Sequence, residues 1–200
     1  MSDAAFAINV LGIFLFAMSG AGSARIAGLD LFGAAVVALV TATGGGFLRD
    51  LALGQTPRVF VDDLVASIAL AAFVCFALIR GAEKAVQTKL FELGDTLGVV
   101  AFSIVGAQAA LAAELAATGV LGLAFINANV GGVIRDLLCG RKPLVLTRKW
   151  NGSISVLIGG AVLLCAEIGL TGEPVIIAIF CAALALGAAL NLSGVEMRRM

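Results

Sequence analysis

The sequence predicts an all-α membrane protein. Its 200 residues are 61% hydrophobic and 13% charged, and their mean hydropathy is +1.11. Soluble domains are only about 45–50% apolar, so a chain of this size has too much apolar surface to hide from water. The apolar residues lie in continuous runs and do not alternate with polar ones, which favours helices over membrane strands. We expect residues 1–200 to form a single transmembrane domain.

Seven apolar windows are candidates for membrane spans. A helix needs about 20 apolar residues to cross a hydrocarbon core about 30 Å thick. The windows cover approximately residues 4–24, 31–48, 64–79, 97–113, 120–134, 154–166 and 175–192. The fifth and sixth windows are short and need flanking residues to complete a span. The sequence therefore predicts seven transmembrane helices.

The basic residues predict the orientation of the chain in the membrane. With seven spans the two chain ends lie on opposite sides, and the side richer in Lys and Arg faces the cytoplasm. One side carries Arg25, Arg80, Lys84, Lys89, Arg141, Lys142, Arg148, Lys149, Arg198 and Arg199. The other side carries Arg58, once Arg49 and Arg135 inside the spans are set aside. We therefore expect the N-terminus outside and the C-terminus in the cytoplasm.

One segment of the chain occurs twice, at an offset of 86 residues. The repeated residues are Gly45, Gly46, Arg49, Asp50, Leu51, Gly54 and Pro57, which recur as Gly131, Gly132, Arg135, Asp136, Leu137, Gly140 and Pro143. The offset places the first predicted helix on the fourth and the second on the fifth. Because three helices per repeat is an odd number, the halves insert in opposite directions. The prediction is a 3+3 inverted repeat, about 4–82 and 90–168, with one extra C-terminal helix at about 174–192.

Glycine clusters lie at matching places in the second and fifth spans. The first cluster is Gly44, Gly45 and Gly46, and the second is Gly131 and Gly132. Each glycine lowers helix propensity by about 1 kcal/mol relative to alanine, so both clusters predict a kink or local unwinding. Unwound backbone at membrane depth lines a cavity or is buried in protein, which makes these clusters candidate pore walls. The alternative is close helix crossing at small residues.

Arginine and aspartate follow both glycine clusters at the same spacing. A charge at the bilayer centre costs about 2.5–3.5 kcal/mol, so Arg49, Asp50, Arg135 and Asp136 need partners or water. Adjacent residues point about 100° apart around a helix, which disfavours pairing within each Arg-Asp dipeptide. We therefore predict crossed pairs between the halves, Arg49 with Asp136 and Arg135 with Asp50. The alternative is that these side chains lie at helix ends and extend to the membrane surface.

Four polar residues inside the second and fifth spans are candidate ion ligands. Thr41 and Thr43 recur as Asn127 and Asn129 under the same offset of 86 residues. Their oxygens, together with backbone carbonyls, would replace part of the hydration shell of an alkali ion. The alternative is hydrogen bonding between helices.

The composition argues against several other functions. Lys plus Arg and Asp plus Glu number 13 each, so no net charge recruits nucleic acid. The chain has no histidine, which removes the commonest metal ligand and general base and disfavours an enzyme. Cys75, Cys139, Cys165 and Cys181 lack metal-binding spacing, and three of them lie within apolar runs, where a free thiol behaves as a small apolar side chain. We expect neither a resident metal nor an organic cofactor.

The two motif copies, GGGFLRDLALGQTP and GGVIRDLLCGRKP, resemble the prokaryotic branch of the trimeric intracellular cation channel (TRIC) family. The resemblance covers nearly the whole chain. It implies a homotrimer in the prokaryotic inner membrane, in contact with membrane lipid. Each subunit would have its own pore, lined by the second and fifth helices, through which potassium and sodium pass. The implied pore and gating positions are Gly44, Gly45, Gly46, Arg49, Asp50, Gly131, Gly132, Arg135 and Asp136.

Two features of the animal TRIC channels are not found in this chain. Their Lys-Glu-Val signature, associated with phosphoinositide binding, is Arg-Asp here, so the resemblance does not extend to lipid regulation. Their fourth helix bears basic residues tied to voltage sensing, whereas residues 96–113 contain none. The resemblance therefore does not imply voltage dependence.

Two other function classes remain open at the level of sequence. A small-solute transporter for glycine-like amino acids would also use an inverted repeat with broken helices, and would work by alternating access. Discrete unitary currents would distinguish a channel from such a carrier. A membrane enzyme or a non-conducting scaffold is the third class, and it would show neither flux nor current.

Overall fold

The computed structural model describes residues 3–78, 84–147 and 150–193, and this part of the chain is helical. It contains eight α-helices and one short 3₁₀ turn, Arg58–Phe60. The helices are α1 (Asp3–Ile26), α2 (Leu31–Ala52), α3 (Asp63–Leu78), α4 (Lys84–Ala112), α5 (Ala117–Leu138), α6 (Leu144–Thr147), α7 (Asn151–Glu167) and α8 (Glu173–Ser193). The predicted all-α class is confirmed.

Four helices of the described residues are long and apolar enough to cross a membrane. They are α1, α2, the Gly94–Ala112 part of α4, and α5. Three shorter apolar helices cover Asp63–Leu78, Gly152–Glu167 and Glu173–Ala189. Together they overlap the seven predicted windows, and α5 extends beyond its predicted window to 22 residues. Among the predicted cytoplasmic basic residues, those at 80, 148, 149, 198 and 199 lie outside the described residues.

The ends of α2 and α5 explain two of the repeated glycines. Gly54 follows α2 with a φ of 67°, a left-handed conformation that glycine adopts without a steric penalty. Its N–H donates to Leu51 O at 3.0 Å, and the Gln55 N–H donates to Asp50 O at 2.8 Å. This is a Schellman motif, which satisfies the last carbonyls of the helix. Gly140 ends α5 with the same φ and the same pair of bonds, at 3.0 and 2.8 Å.

The other repeated glycines bring α2 and α5 into direct backbone contact. A Cβ added to Gly45 would overlap Asn127 O, and one added to Gly131 would overlap Thr41 O. The two contacts are equivalent under the 86-residue offset, which relates Gly45 to Gly131 and Thr41 to Asn127. At membrane depth a close crossing of this kind gains dispersion contacts.

The predicted local unwinding at the glycine clusters is wrong. Helix α2 is α-helical through Gly44, Gly45 and Gly46, and α5 is α-helical through Gly131 and Gly132. The alternative, close helix crossing, is confirmed. Unwinding would free backbone carbonyls that need new partners in lipid, whereas a continuous helix keeps its own hydrogen bonds.

Two apolar clusters surround this crossing. The first joins α1, α2 and α3 around Phe16, Val37 and Phe73. The second joins α4, α5, α7 and α8 around Val100 and Ile158. The crossing of α2 and α5 therefore lies between two packed helix groups, and the polar residues of both motifs lie beside it.

Candidate functional site

In the first half of the chain, Arg49 and Asp50 pair with each other. The Nε and Nη2 atoms of Arg49 donate to Asp50 Oδ1 at 2.9 and 2.6 Å. The other carboxylate oxygen, Oδ2, accepts the backbone N–H of Arg58 at 2.9 Å. Arg49 is 7% exposed and Asp50 is 2% exposed. The aspartate thus joins the arginine to the loop that follows α2.

The equivalent pair in the second half has more partners. Arg135 Nε donates to Asp136 Oδ1 at 2.9 Å, and Asp136 Oδ2 accepts the Leu144 N–H at 2.8 Å. Arg135 Nη1 also donates to Asp95 Oδ1 at 2.5 Å and to Ser19 Oγ at 2.8 Å. Arg135 is 1% exposed. This arginine is held by groups from α1, α4 and α5.

The predicted crossed pairs are wrong. Arg49 does not pair with Asp136, and Arg135 does not pair with Asp50; each arginine pairs with the aspartate that follows it. The long arginine side chain spans the angle between neighbouring positions, so the separation of their Cβ directions does not prevent contact. The backbone N–H eight residues later holds each aspartate through its other oxygen.

Sequence reasoning missed Asp95, which forms an ion pair with Arg135. A signal was present: Asp95 lies two residues before the fourth predicted window, and its counterpart 86 residues earlier is Asn9. Similarly, Ser19 corresponds to Val105 in the other half. These two differences remove from the first half the extra groups that hold Arg135 in the second.

The four polar candidates in α2 and α5 all hydrogen bond within the protein. The hydroxyls of Thr41 and Thr43 donate to carbonyls one turn earlier, at 2.5 and 2.8 Å. Asn127 Nδ2 donates across to Phe102 O at 2.7 Å. Asn129 Nδ2 donates to Ser155 Oγ at 2.9 Å. The interhelical alternative is therefore confirmed for both asparagines, whereas both threonine bonds lie inside α2.

Two small cavities lie beside the Arg-Asp pairs. The first-half cavity, of about 30 Å³, has polar lining residues Asn9, Thr43, Arg49, Asp50, Arg58 and Asn127. The second-half cavity, of about 10 Å³, has polar lining residues Asp95, Asn129, Arg135 and Asp136. Each residue that lines the second-half cavity lies 86 positions from one that lines the first-half cavity. Thr41 lies away from both, at the helix crossing.

The first-half site also borders a wider cleft of about 420 Å³. Arg49, Asp50 and Arg58 line both the cleft and the first-half cavity. Gln55 and Gln108 add polar groups to the cleft, and Ile176 of α8 adds an apolar wall. In the second half the counterpart of Gln55 is Arg141, which reaches the Ser23 carbonyl at 3.0 Å. Among the described residues, this wide cleft adjoins the first-half site.

The sequence matches one protein-family model along most of its length. The model is described as "Glycine transporter" and matches residues 6–88 and 92–167. The two matched segments begin 86 residues apart, the same offset as the repeated motif. A UPF0126 membrane protein of Deinococcus radiodurans is 35% identical over 144 residues, covering 71% of this chain and 66% of that protein.

Solved structures of cation channels have the same fold. One, described in work on conductance through TRIC cation channels, is 29% identical with a TM-score of 0.83, covering 96% of this chain and 95% of that one. The TRIC orthologue from Rhodobacter sphaeroides is 26% identical with a TM-score of 0.89, covering 97% of this chain and all of the other. The resemblance drawn from the two motif copies is therefore confirmed, and the chain belongs to the membrane-protein family described as "Glycine transporter", whose fold is that of the TRIC cation channels.

Proposed function

We propose that this chain is a passive channel for monovalent cations, potassium and also sodium. In this proposal the ions pass between α1, α2, α4 and α5, and they use the two cavities beside the Arg-Asp pairs. The site residues named from the sequence keep a role in permeation, but the glycines act through helix contact. Structures described as cation channels have this fold, which favours a channel over the glycine-like transporter.

One observation carries the proposal: two equivalent polar cavities lie among apolar helices. Polar groups inside membrane helices are costly, and they commonly mark paths for ions or substrates. The first-half cavity contains side-chain oxygens of Asn9, Thr43 and Asp50 among its lining residues. Oxygens of this kind replace water around a passing cation. The shared lining of this cavity and the 420 Å³ cleft supplies an approach from one membrane face.

We further propose a single transmembrane domain with a 3+3 inverted repeat and one extra helix. The repeats would be about 4–82 and 90–168, with α8 as the seventh span. The exchange of Thr41 and Asn127 at the helix crossing supports a two-fold relation between the halves. The paired Schellman motifs and paired loop contacts of Asp50 and Asp136 support it as well.

The assembly, membrane and orientation belong to the same proposal. The Rhodobacter sphaeroides orthologue is described as trimeric, which supports a homotrimer with one pore per subunit. The membrane would be the prokaryotic inner membrane, with the N-terminus outside and the C-terminus in the cytoplasm. In that orientation the wide cleft faces outward, and the Arg135 cluster lies toward the cytoplasm.

Purified chain in liposomes and planar bilayers tests the function. A channel gives potassium and sodium flux down their gradients and discrete unitary currents, because ions cross without a conformational cycle for each ion. Uptake of glycine with no resolvable current would contradict the channel and support a carrier. The absence of both flux and uptake would contradict both. Cross-linking in the membrane tests the trimer independently of flux.

A further inference from the structure

A pair of phenylalanine rings lies between the two cavities. Phe16 of α1 and Phe102 of α4 contact edge to face, with ring centroids 5.0 Å apart and planes at 90°. Phe102 lines the first-half cavity, and Phe16 lines the second-half cavity. The two rings are 1% and 4% exposed, and they occupy equivalent positions in the two halves. Each cavity therefore has one ring of the pair as a wall.

The helices beside the two cavities also meet through backbone, at the crossing of α2 and α5. Gly45 lies against Asn127 O, and Gly131 lies against Thr41 O. Each contact joins a glycine to a backbone carbonyl, so no side-chain rotation can open it. Opening a passage at that crossing requires whole helices to separate. Displacing the phenylalanine rings requires instead a change of side-chain rotamer, a much smaller movement than separating two helices.

The two rings occupy the space that glycine leaves on the facing helix. A Cβ on Gly12 would lie 2.8 Å from Phe102 Cε1, and a Cβ on Gly98 would overlap the Phe16 ring. These two glycines are again 86 residues apart. Each ring therefore packs against the bare backbone of the opposite helix, and the same arrangement occurs on both sides.

We propose that Phe16 and Phe102 form a hydrophobic seal across the conduction pathway, between the first-half and second-half cavities. The inference rests on the proposed channel function. An apolar constriction expels water, and an ion cannot pass where its hydration shell has no replacement. Rotation of the rings would join the cavities and complete the polar path. The seal thus sets the closed state, while the polar groups on either side receive the ion.

Potassium flux from proteoliposomes tests this seal with Phe16→Ala and Phe102→Ala. Both changes shorten a wall of the constriction, so we expect flux to rise about tenfold, equivalent to a barrier lower by about 1.4 kcal/mol. Phe6→Ala is the matched control, because Phe6 lies on the same helix as Phe16 but is 46% exposed. It should leave flux unchanged. Phe16→Leu and Phe102→Leu keep the site apolar and should give smaller increases.

The outcomes separate the seal from the channel function. Flux from the natural chain with no increase in the assembled alanine variants overturns the seal and leaves the channel. A silent natural chain with conducting variants supports both. Silence in every variant that assembles overturns both. If the alanine variants do not assemble in size-exclusion chromatography, the leucine variants decide by the same criterion.

Discussion

The two Arg-Asp sites have the same core but different surroundings. Arg135 contacts Asp136, Asp95 and Ser19, whereas Arg49 donates two hydrogen bonds to Asp50. The second-half cavity is about 10 Å³, and the first-half site borders both a 30 Å³ cavity and a 420 Å³ cleft. The duplicated motif therefore forms a cluster with several charged and polar partners in one half, and a buried pair beside a wide cleft in the other.

The largest expected effect is the loss of an arginine. Arg135→Met would leave two carboxylates buried without their shared cation, so we expect a loss of about 3–5 kcal/mol in unfolding free energy. Arg49→Met should cost less, because water in the adjoining cleft can solvate Asp50. Denaturation in detergent micelles measures both. Equal losses would show that the extra contacts of Arg135 add nothing to stability.

The two glycines at the helix crossing should behave alike. Gly45→Ala and Gly131→Ala each force a Cβ against a carbonyl of the opposite helix, and overpacking typically costs about 1–3 kcal/mol. Gly122→Ala on α5 is the control, because no atom lies within 4 Å of its added Cβ. Thermal unfolding of the three variants checks this. A large difference between Gly45→Ala and Gly131→Ala would break the equivalence of the halves at the crossing.

Substitutions at the positions that differ between the two sites should change how firmly the arginine of each site is held. Asp95→Asn removes a charged hydrogen-bond partner of Arg135 and should cost about 1.5–3 kcal/mol. Asn9→Asp places a second carboxylate in the cavity of Arg49 and should slow potassium flux by holding that arginine. Unfolding measurements and flux assays on both single variants test this. Faster flux in Asn9→Asp would instead indicate that the carboxylate attracts the permeating cation.

Double-mutant cycles should detect pairing within each dipeptide. Arg49→Met combined with Asp50→Asn should show a coupling of about 0.5–3 kcal/mol, because these side chains contact each other. Arg49→Met combined with Asp136→Asn should be additive within about 0.5 kcal/mol. Unfolding free energies of the single and double variants give both values. Strong coupling in the second cycle would restore the crossed arrangement.

The sequence was most informative where local chemistry decides the structure. Apolar runs gave the helices, because the bilayer leaves few other ways to satisfy the backbone. The 86-residue offset predicted which positions are equivalent, and the paired contacts at Gly45 and Gly131 agree with it. A repeat is visible in sequence because both copies must satisfy the same backbone geometry.

The sequence was least informative where a choice depends on packing. The glycine clusters allowed either unwinding or close crossing, and the approach of α2 to α5 decided between them. The charge partners depended on the reach of the arginine and on the loop N–H groups that orient Asp50 and Asp136. Asp95 was missed because its role appears only when α4 lies against α5. None of these distances follows from residue spacing alone.

The exchanged contacts at the helix crossing have an evolutionary consequence. The glycine of each half, Gly45 or Gly131, contacts the backbone carbonyl of the equivalent polar residue of the other half, Asn127 or Thr41. A contact of this kind is self-complementary, so a single unduplicated half could make it with a second copy of itself inserted in the opposite direction. In that ancestor every substitution would change both sites at once. In a fused chain the two sites can differ, as asparagine at position 9 and aspartate at position 95 do here.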